Sequence, residues 1–404
     1  MKRIQKIILA FMLGIVPIQS AWADSIDCKL SEATEKGDLN QVKKLISAGA
    51  SVNASCGDWR NPILVTASEY GHLEIVKYLI ENGANININN KATALMAAVS
   101  NKHLDIVKYL ISKGANLNIV SKDKTLDFVS KDNPFGISRI GGTALTIATN
   151  NKSLEMVRLL VESGANVNSK DKIGQTALMI AADEGLLEIA QYLISKGANV
   201  NIKDDIGRTA LMLTDGFFRI DGEKTKANRF AIAKLLVAKG ADVNIKNDDG
   251  DTALLRSIGN LERVKFLVEN GANLNLKYNE GITALMLASM EGHLGVVEYL
   301  VSKGANINAK DNYGSTALIY ASVEGKVSVV EYLISKGVNV NIKNNIGFTA
   351  LMAASMEGRL EVVEYLISKG ANINAKNNEG KTALGVAKRD EIIEFLIKMG
   401  AKIK

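Results

Sequence analysis

The chain has 404 residues, 47% of them hydrophobic, with 49 Lys and Arg against 43 Asp and Glu. That balance suits a folded chain and excludes disorder. Three of the positive residues, Lys2, Arg3 and Lys6, open the chain, so residues 24–404 carry 46 basic against 43 acidic groups and lack the concentrated basic stripe that nucleic acid requires.

Lys2, Arg3 and Lys6 precede an apolar run from Ile7 to Ile18, and Ala21-Trp22-Ala23 then places small residues at the two positions a signal peptidase reads. This three-part pattern predicts a secretory signal peptide over residues 1–23, cleaved between Ala23 and Asp24. The run is 12 residues long and interrupted by Pro17, too short to span about 30 Å of hydrocarbon. No later stretch reaches 18 consecutive apolar residues, which predicts a mature chain without a membrane span. Export would place Cys28 and Cys56 in an oxidising compartment, and an even count in an exported chain predicts a disulfide between them. Two unpaired structural thiols are the alternative; a reactive redox pair fits poorly, because the two lie on different elements.

The rest of the chain repeats itself. Glycine followed by Ala, once by Val, recurs at residues 49, 83, 114, 164, 197, 240, 271, 304, 337, 370 and 400, with gaps of 30–34 residues apart from one of 50 and one of 43. Thr-Ala-Leu recurs at Thr93, Thr143, Thr176, Thr209, Thr252, Thr283, Thr316, Thr349 and Thr382, 21 residues before the glycine in regular copies. A fixed period near 33 implies a stacked array. Residues 311–340 show the unit. Asp311-Asn312-Tyr313-Gly314 reads as a turn, and Thr316 as the cap of a short helix packed through Ala317, Leu318 and Ala321. Gly325 breaks that helix, Val329, Val330, Leu333 and Ile334 mark the apolar side of a second one, and Gly337 ends it in the left-handed conformation. One such helix pair cannot bury its apolar face alone and must stack on neighbours.

Asp-x-x-Gly-x-Thr-Ala-Leu, Ala-Ala or Ala-Ser, Gly-His-Leu and Gly-Ala-Asn-Ile-Asn together resemble the ankyrin repeat over about residues 25–404. The resemblance implies an all-α, right-handed repeat solenoid of about eleven helix-turn-helix units with short β-hairpin fingers, forming a single array over 24–404. An N-terminal capping copy is expected near 25–50, and a polar C-terminal one near 377–404 that ends in Lys398, Lys402 and Lys404. Extra residues near 120–136 and 217–227 are expected to form loops, either a binding face or tolerated surface. The family's Pro-Leu-His is here mostly Ala-Leu-Met.

No catalytic motif is present: no Gly-x-Ser-x-Gly, phosphate-cradling loop, His-Glu-x-x-His or Cys-x-x-Cys occurs. His72, His103 and His293 share one repeat position, which points to packing or capping. Met96, Met179, Met212, Met286 and Met352 share another, after the buried Leu, and are expected to pack between copies. Asn247–Asp251 is acidic, but Ile245 and Arg256 stand where a calcium loop needs its first and last ligands. In the family, the concave face is lined by finger tips, the residue after the finger glycine and the residues before the mid-repeat glycine. Here these positions include Ile173 and Ile206, and then the candidate partner-binding set Ile282, Met290, Tyr313, Val323, Ile346, Phe348 and Met356. The expectation is a monomeric, non-catalytic protein-binding scaffold in the periplasm or outside the cell, with no metal or cofactor. Two variants of that reading are a secreted effector that binds host proteins and an inhibitor or immunity-type protein of an envelope enzyme. An enzyme built on Asp132, Arg139, Asp221 and Glu223 of the insertions is the rival class, but those residues show no catalytic spacing.

Overall fold

A computed structural model describes residues 25–56, 61–122, 125–126, 139–216 and 222–402. The described residues form twenty-two α-helices in eleven pairs. In chain order the pairs are α1 (Ile26–Glu35) with α2 (Leu39–Ser47), α3 (Ile63–Glu69) with α4 (Leu73–Glu81), α5 (Ala94–Ser100) with α6 (Leu104–Ser112), α7 (Ala144–Asn150) with α8 (Leu154–Glu162), and α9 (Ala177–Glu184) with α10 (Leu187–Ser195). There follow α11 (Ala210–Leu213) with α12 (Glu223–Ala238), α13 (Ala253–Arg256) with α14 (Leu261–Glu269), α15 (Ala284–Glu291) with α16 (Leu294–Ser302), α17 (Ala317–Val323) with α18 (Val327–Ser335), α19 (Ala350–Met356) with α20 (Leu360–Ser368), and α21 (Ala383–Val386) with α22 (Asp390–Lys398). The chain divides into two compact units, Met1–Asp205 with the first five pairs and Ile206–Lys404 with the last six. Within each unit, the first helices of successive copies stack on one another.

The Thr-Ala-Leu signature works as a reciprocal cap. Thr93, Thr176 and Thr283 sit in extended backbone, and each hydroxyl accepts the N–H of a Met three residues on. The sulfurs of Met96, Met179 and Met286 in turn accept the threonine N–H at 3.5 Å, so the buried methionine row closes helix starts as well as packing. Where the slot holds Thr146, its Oγ1 does the same for the Thr143 N–H at 2.9 Å. Thr316 departs from the expectation: it has the same extended conformation, but its Oγ1 is buried without a hydrogen-bond partner.

The shared histidine position also caps. The Nε2–H of His72 donates to the Glu35 carbonyl at 3.1 Å, and that of His103 to the Glu69 carbonyl at 3.0 Å; each is the last residue of the preceding copy's first helix. In a later copy, the Arg359 Nε–H takes over this role on Val323. The mid-repeat glycine is required twice over: Gly71 has φ +80°, and a Cβ there would lie 2.6 Å from the His103 ring. His293 differs. The preceding first helix, α13, is a single turn, and His293 pairs instead with Glu291 at 2.9 Å.

The fingers are tight turns, three of them closed by single bridges at Ser55–Pro62, Lys170–Thr176 and Lys343–Thr349. Their first residue organises them from its side chain: Asp311 Oδ1 accepts the N–H groups of Tyr313 and Ser315, and Asn344 Oδ1 those of Ile346 and Phe348. Neighbouring fingers are laced together. Asn345 N–H donates to the Tyr313 carbonyl at 2.9 Å and Asn378 N–H to that of Ile346 at 3.1 Å. The ammonium groups of Lys277, Lys310 and Lys343 each reach a carbonyl one copy on, those of Lys310, Lys343 and Lys376.

The irregular segments resolve differently. Cys28 in α1 is bonded to Cys56 in the finger after α2, with Cα atoms 4.7 Å apart. Of the insertion near 120–136, Lys122 N–H is anchored on the Lys91 carbonyl, and β1 (Thr125–Leu126) pairs antiparallel with β2 (Arg139–Ile140). The other insertion is not simply a loop. Residues 223–229 are helical and lengthen α12 to 16 residues, against nine in the other copies' second helices. Gly222 starts that helix, and Glu223 pairs with Lys226 at 3.0 Å in its first turn. In the last copy, Lys398 and Lys402 are exposed, but so are Ile397 (44%) and Met399 (45%), so this copy is less polar than expected. The proposed leader with Ala23 and Asp24, as well as Asp132 and Asp221, lies outside the described residues.

Candidate functional site

Seven candidate binding residues lie in the unit from Ile206 to Lys404, on the fingers and the ends of the first helices. Tyr313 (54% exposed) and Ile346 (59%) stand at successive finger tips and are coupled through the backbone bond from Asn345 to Tyr313. Ile282, Met290, Val323, Phe348 and Met356 are half-buried. Ile346, Phe348 and Met356 converge with Val386 on a groove of about 550 Å³ whose rim carries Glu379, Lys381 and Lys388. Ile282, Met290 and Val323 are not part of that groove. The same register rule covers Tyr70, 52% exposed and stacked on His72, which the repeat pattern alone did not single out.

Two tyrosines fix this face. Tyr313 OH donates to Glu280 Oε1 at 3.0 Å, and that bond raises its pKa above the ordinary phenol value. Tyr320 OH donates to Asp311 Oδ2 at 2.6 Å; burial first, and that bond second, hold its hydroxyl far above the ordinary range, so it stays a donor. Asp311 thereby holds the Tyr313 finger from one oxygen and ties it to α17 through the other.

A second polar centre lies deeper, between the sixth and seventh copies. Arg263 (8% exposed) occupies a slot that holds Ile75, Ile106, Ile232, Val296, Val329 or Val362 in other copies. Its guanidinium donates to Thr214 Oγ1 and faces Asp215, whose Oδ2 is buried without a hydrogen-bond partner. Arg229, 2% exposed, packs on Gly216 beside them. Burial raises the Asp215 pKa above the ordinary carboxylate value, against the pull of Arg263, Arg256 and Arg229. Asp215 itself stands where Ser289, Ser322 and Ser355 stand in later copies. Among the described residues, no three His, Cys, Asp or Glu side chains converge as metal ligands, and no helix is long and apolar enough to cross a membrane.

A family model of ankyrin repeats in sets of three copies matches residues 30–121, 124–204, 224–311, 257–344, 308–377 and 340–404. No curated protein of similar sequence was found. Ankyrin repeats generally mediate protein–protein interaction and are typically non-catalytic. With the family pattern running through nearly every copy, the chain belongs to the ankyrin-repeat family.

Proposed function

We propose that this protein is an exported, non-catalytic scaffold that binds another protein through the finger and first-helix face of its last four copies. The observation that carries the reading is the cluster of Tyr313, Ile346, Phe348 and Met356, apolar and aromatic groups left accessible on adjacent copies. The ladders that lace the fingers support a mechanism of preorganisation: little ordering entropy is lost when a partner docks. Export is supported by the leader pattern of residues 1–23 and by the Cys28–Cys56 disulfide. In this reading the chain from Asp24 onward works as one monomeric array.

Immobilised protein is exposed to envelope extract and culture supernatant, with a Tyr313→Ala/Phe348→Ala variant as control and mass-spectrometric readout. The reading expects a protein retained by the wild type and lost by the variant. Retention by both would move the site off this face. A partner found only in the supernatant or in host extract would favour the secreted-effector form of the proposal, and one that is an envelope enzyme the inhibitor form.

A further inference from the structure

Every backbone N–H on the last three finger tips is already donated inside the array. Those of Asp311–Ser315, Asn344–Phe348 and Asn377–Lys381 all end on carbonyls or on the side chains of Asp311, Asn344 and Asn377. The carbonyls of Tyr313 and Ile346 accept from the next finger. An extended chain laid on this face would find no main-chain donor for its own carbonyls, whereas an α-helix brings its backbone already paired. Apolar groups recur on each copy: Tyr313 and Val323 on the ninth, Ile346, Phe348 and Met356 on the tenth, Val386 on the eleventh. The row ends in the groove of about 550 Å³. There α21 stops after one turn, Ala387 is already extended, and Gly385 stands where Met352 stands one copy earlier.

The spacing selects the occupant. Stacked helices pack about 8–10 Å apart, so successive copies present these groups at about that interval. Seven residues of α-helix rise about 10.5 Å and return to the same face. Same-face residues of a strand recur at about 6.7 Å and fall out of step. A polyproline segment keeps step, at about 9.3 Å per three residues, but leaves its backbone groups unpaired on a face without free donors. The charges select the flank. Glu324 and Glu357 end α17 and α19 beside Val323 and Met356, and Lys388 lies on the groove. None of these three forms an ion pair among the described residues. The neighbouring cations are engaged elsewhere: Arg359 donates to the Val323 carbonyl and packs on Gly325, Lys326 packs on Gly292, Arg389 on Gly358, and Lys381 pairs with Glu379 at 2.9 Å.

We propose that this face receives an amphipathic α-helix of the partner protein, laid along copies nine to eleven and in step with them. Its apolar residues recur every seven positions against Tyr313, Phe348 and Val386. On its flank, Lys or Arg at the same interval meets Glu324 and Glu357, and an Asp or Glu one interval further meets Lys388. This deepens the protein-binding reading of that face and rests on it.

The test selects binders to the immobilised full chain from two displayed peptide libraries of equal length. One consists of Ala-based helices of about six turns randomised over one face and its flank, the other of proline-rich and extended peptides. The helical library is expected to enrich, with Leu, Ile, Phe or Met seven residues apart and Lys or Arg seven apart on one flank. Phe348→Ala should weaken capture of the enriched helices about tenfold. A Glu324→Lys/Glu357→Lys variant keeps its helix ends, where a cation suits the dipole, and should turn the selected flank from Lys or Arg to Asp or Glu. Enrichment of the extended library alone, selected helices without the seven-residue spacing, a flank preference unchanged by the charge reversal, or no enrichment would overturn the proposal. The protein-binding reading fails separately: a partner gripped through a loop would be captured by the wild type and lost on the Tyr313→Ala/Phe348→Ala variant while no helix is selected.

Discussion

The Asp215–Arg263 pair offers a sharp test of how the array tolerates buried charge. Arg263 occupies a slot that holds buried Ile or Val in most other copies, and its partner Asp215 a slot that holds Ser in the eighth, ninth and tenth copies. Arg263→Ile alone removes the largest opposing influence on a buried carboxyl whose Oδ2 already lacks a partner, and should destabilise the second unit by about 3 kcal/mol. Asp215→Ser alone should cost a similar amount by removing the carboxylate that the buried Arg263 faces. The double replacement restores the repeat's own pattern and should lie within about 1 kcal/mol of the wild type, or above it, a coupling of several kcal/mol. The pH dependence has a defined sign. A carboxyl whose folded pKa is raised binds its proton more tightly in the folded state, so its stability contribution is present below about pH 3.9 and is lost as pH rises through the folded value. That decline should steepen in Arg263→Ile and vanish in both variants that lack Asp215. The assay is urea unfolding by far-UV circular dichroism at pH 4, 5.5 and 7, with amide exchange in α11 and α14 reporting local stability. If Arg263→Ile proved as stable as the wild type, or the two single costs simply added, the pair would not be coupled and the reasoning would fail.

Three further outcomes follow from the helix caps and the cross-link. Thr316→Val keeps the shape and removes a buried hydroxyl without a partner, so it should be neutral or slightly stabilising; Thr283→Val loses a cap and should cost about 1 kcal/mol, both read as shifts in thermal midpoint. Gly71→Ala forces a Cβ into a left-handed residue and against His103, and should cost more than about 1 kcal/mol; adding His103→Ala should recover the steric part alone, as a double-mutant cycle in urea would show. Replacing both Cys28 and Cys56 by Ser opens a loop set by their separation of 28 residues and should cost about 3.6 kcal/mol by loop entropy. Because each copy touches only its neighbours, that loss should lower the local transition of α1 and α2 seen by amide exchange while leaving most of the dichroism transition in place. Coincident shifts of the two signals would contradict this.

Much of the fold was legible because each local rule is written many times. The period, the helix pairs, the Thr caps and the left-handed glycines need only residues close in sequence, and recurrence separates them from chance. The capping role of His72 and His103 was legible from register alone. His293 was misleading, because its carbonyl partner is missing from a neighbouring copy whose helix is shorter. What stayed hidden depends on two copies at once. Asp215 and Arg263 look ordinary until stacking brings them together, and the groove beside Phe348 exists only where a full first helix is followed by one of a single turn. The insertion at 217–227 looked like a loop because it lies between helices, yet Glu223–Ala227 has the charge pairing and composition to extend α12. Of the candidate binding face, the repeat register located the positions, and the structure separated Tyr313 and Ile346, freely exposed, from the half-buried Ile282, Met290 and Val323.

A partner protein held on the finger and first-helix face of the last four copies would shield the backbone there from solvent. Amide hydrogen exchange of the complex with the captured protein tests it most directly. Slowed exchange is expected at residues 278–282, 311–315 and 344–348 and at the ends of α15, α17 and α19, with α16, α18 and α20 unchanged. Protection confined to those second helices, or to the insertion helix α12, would contradict it.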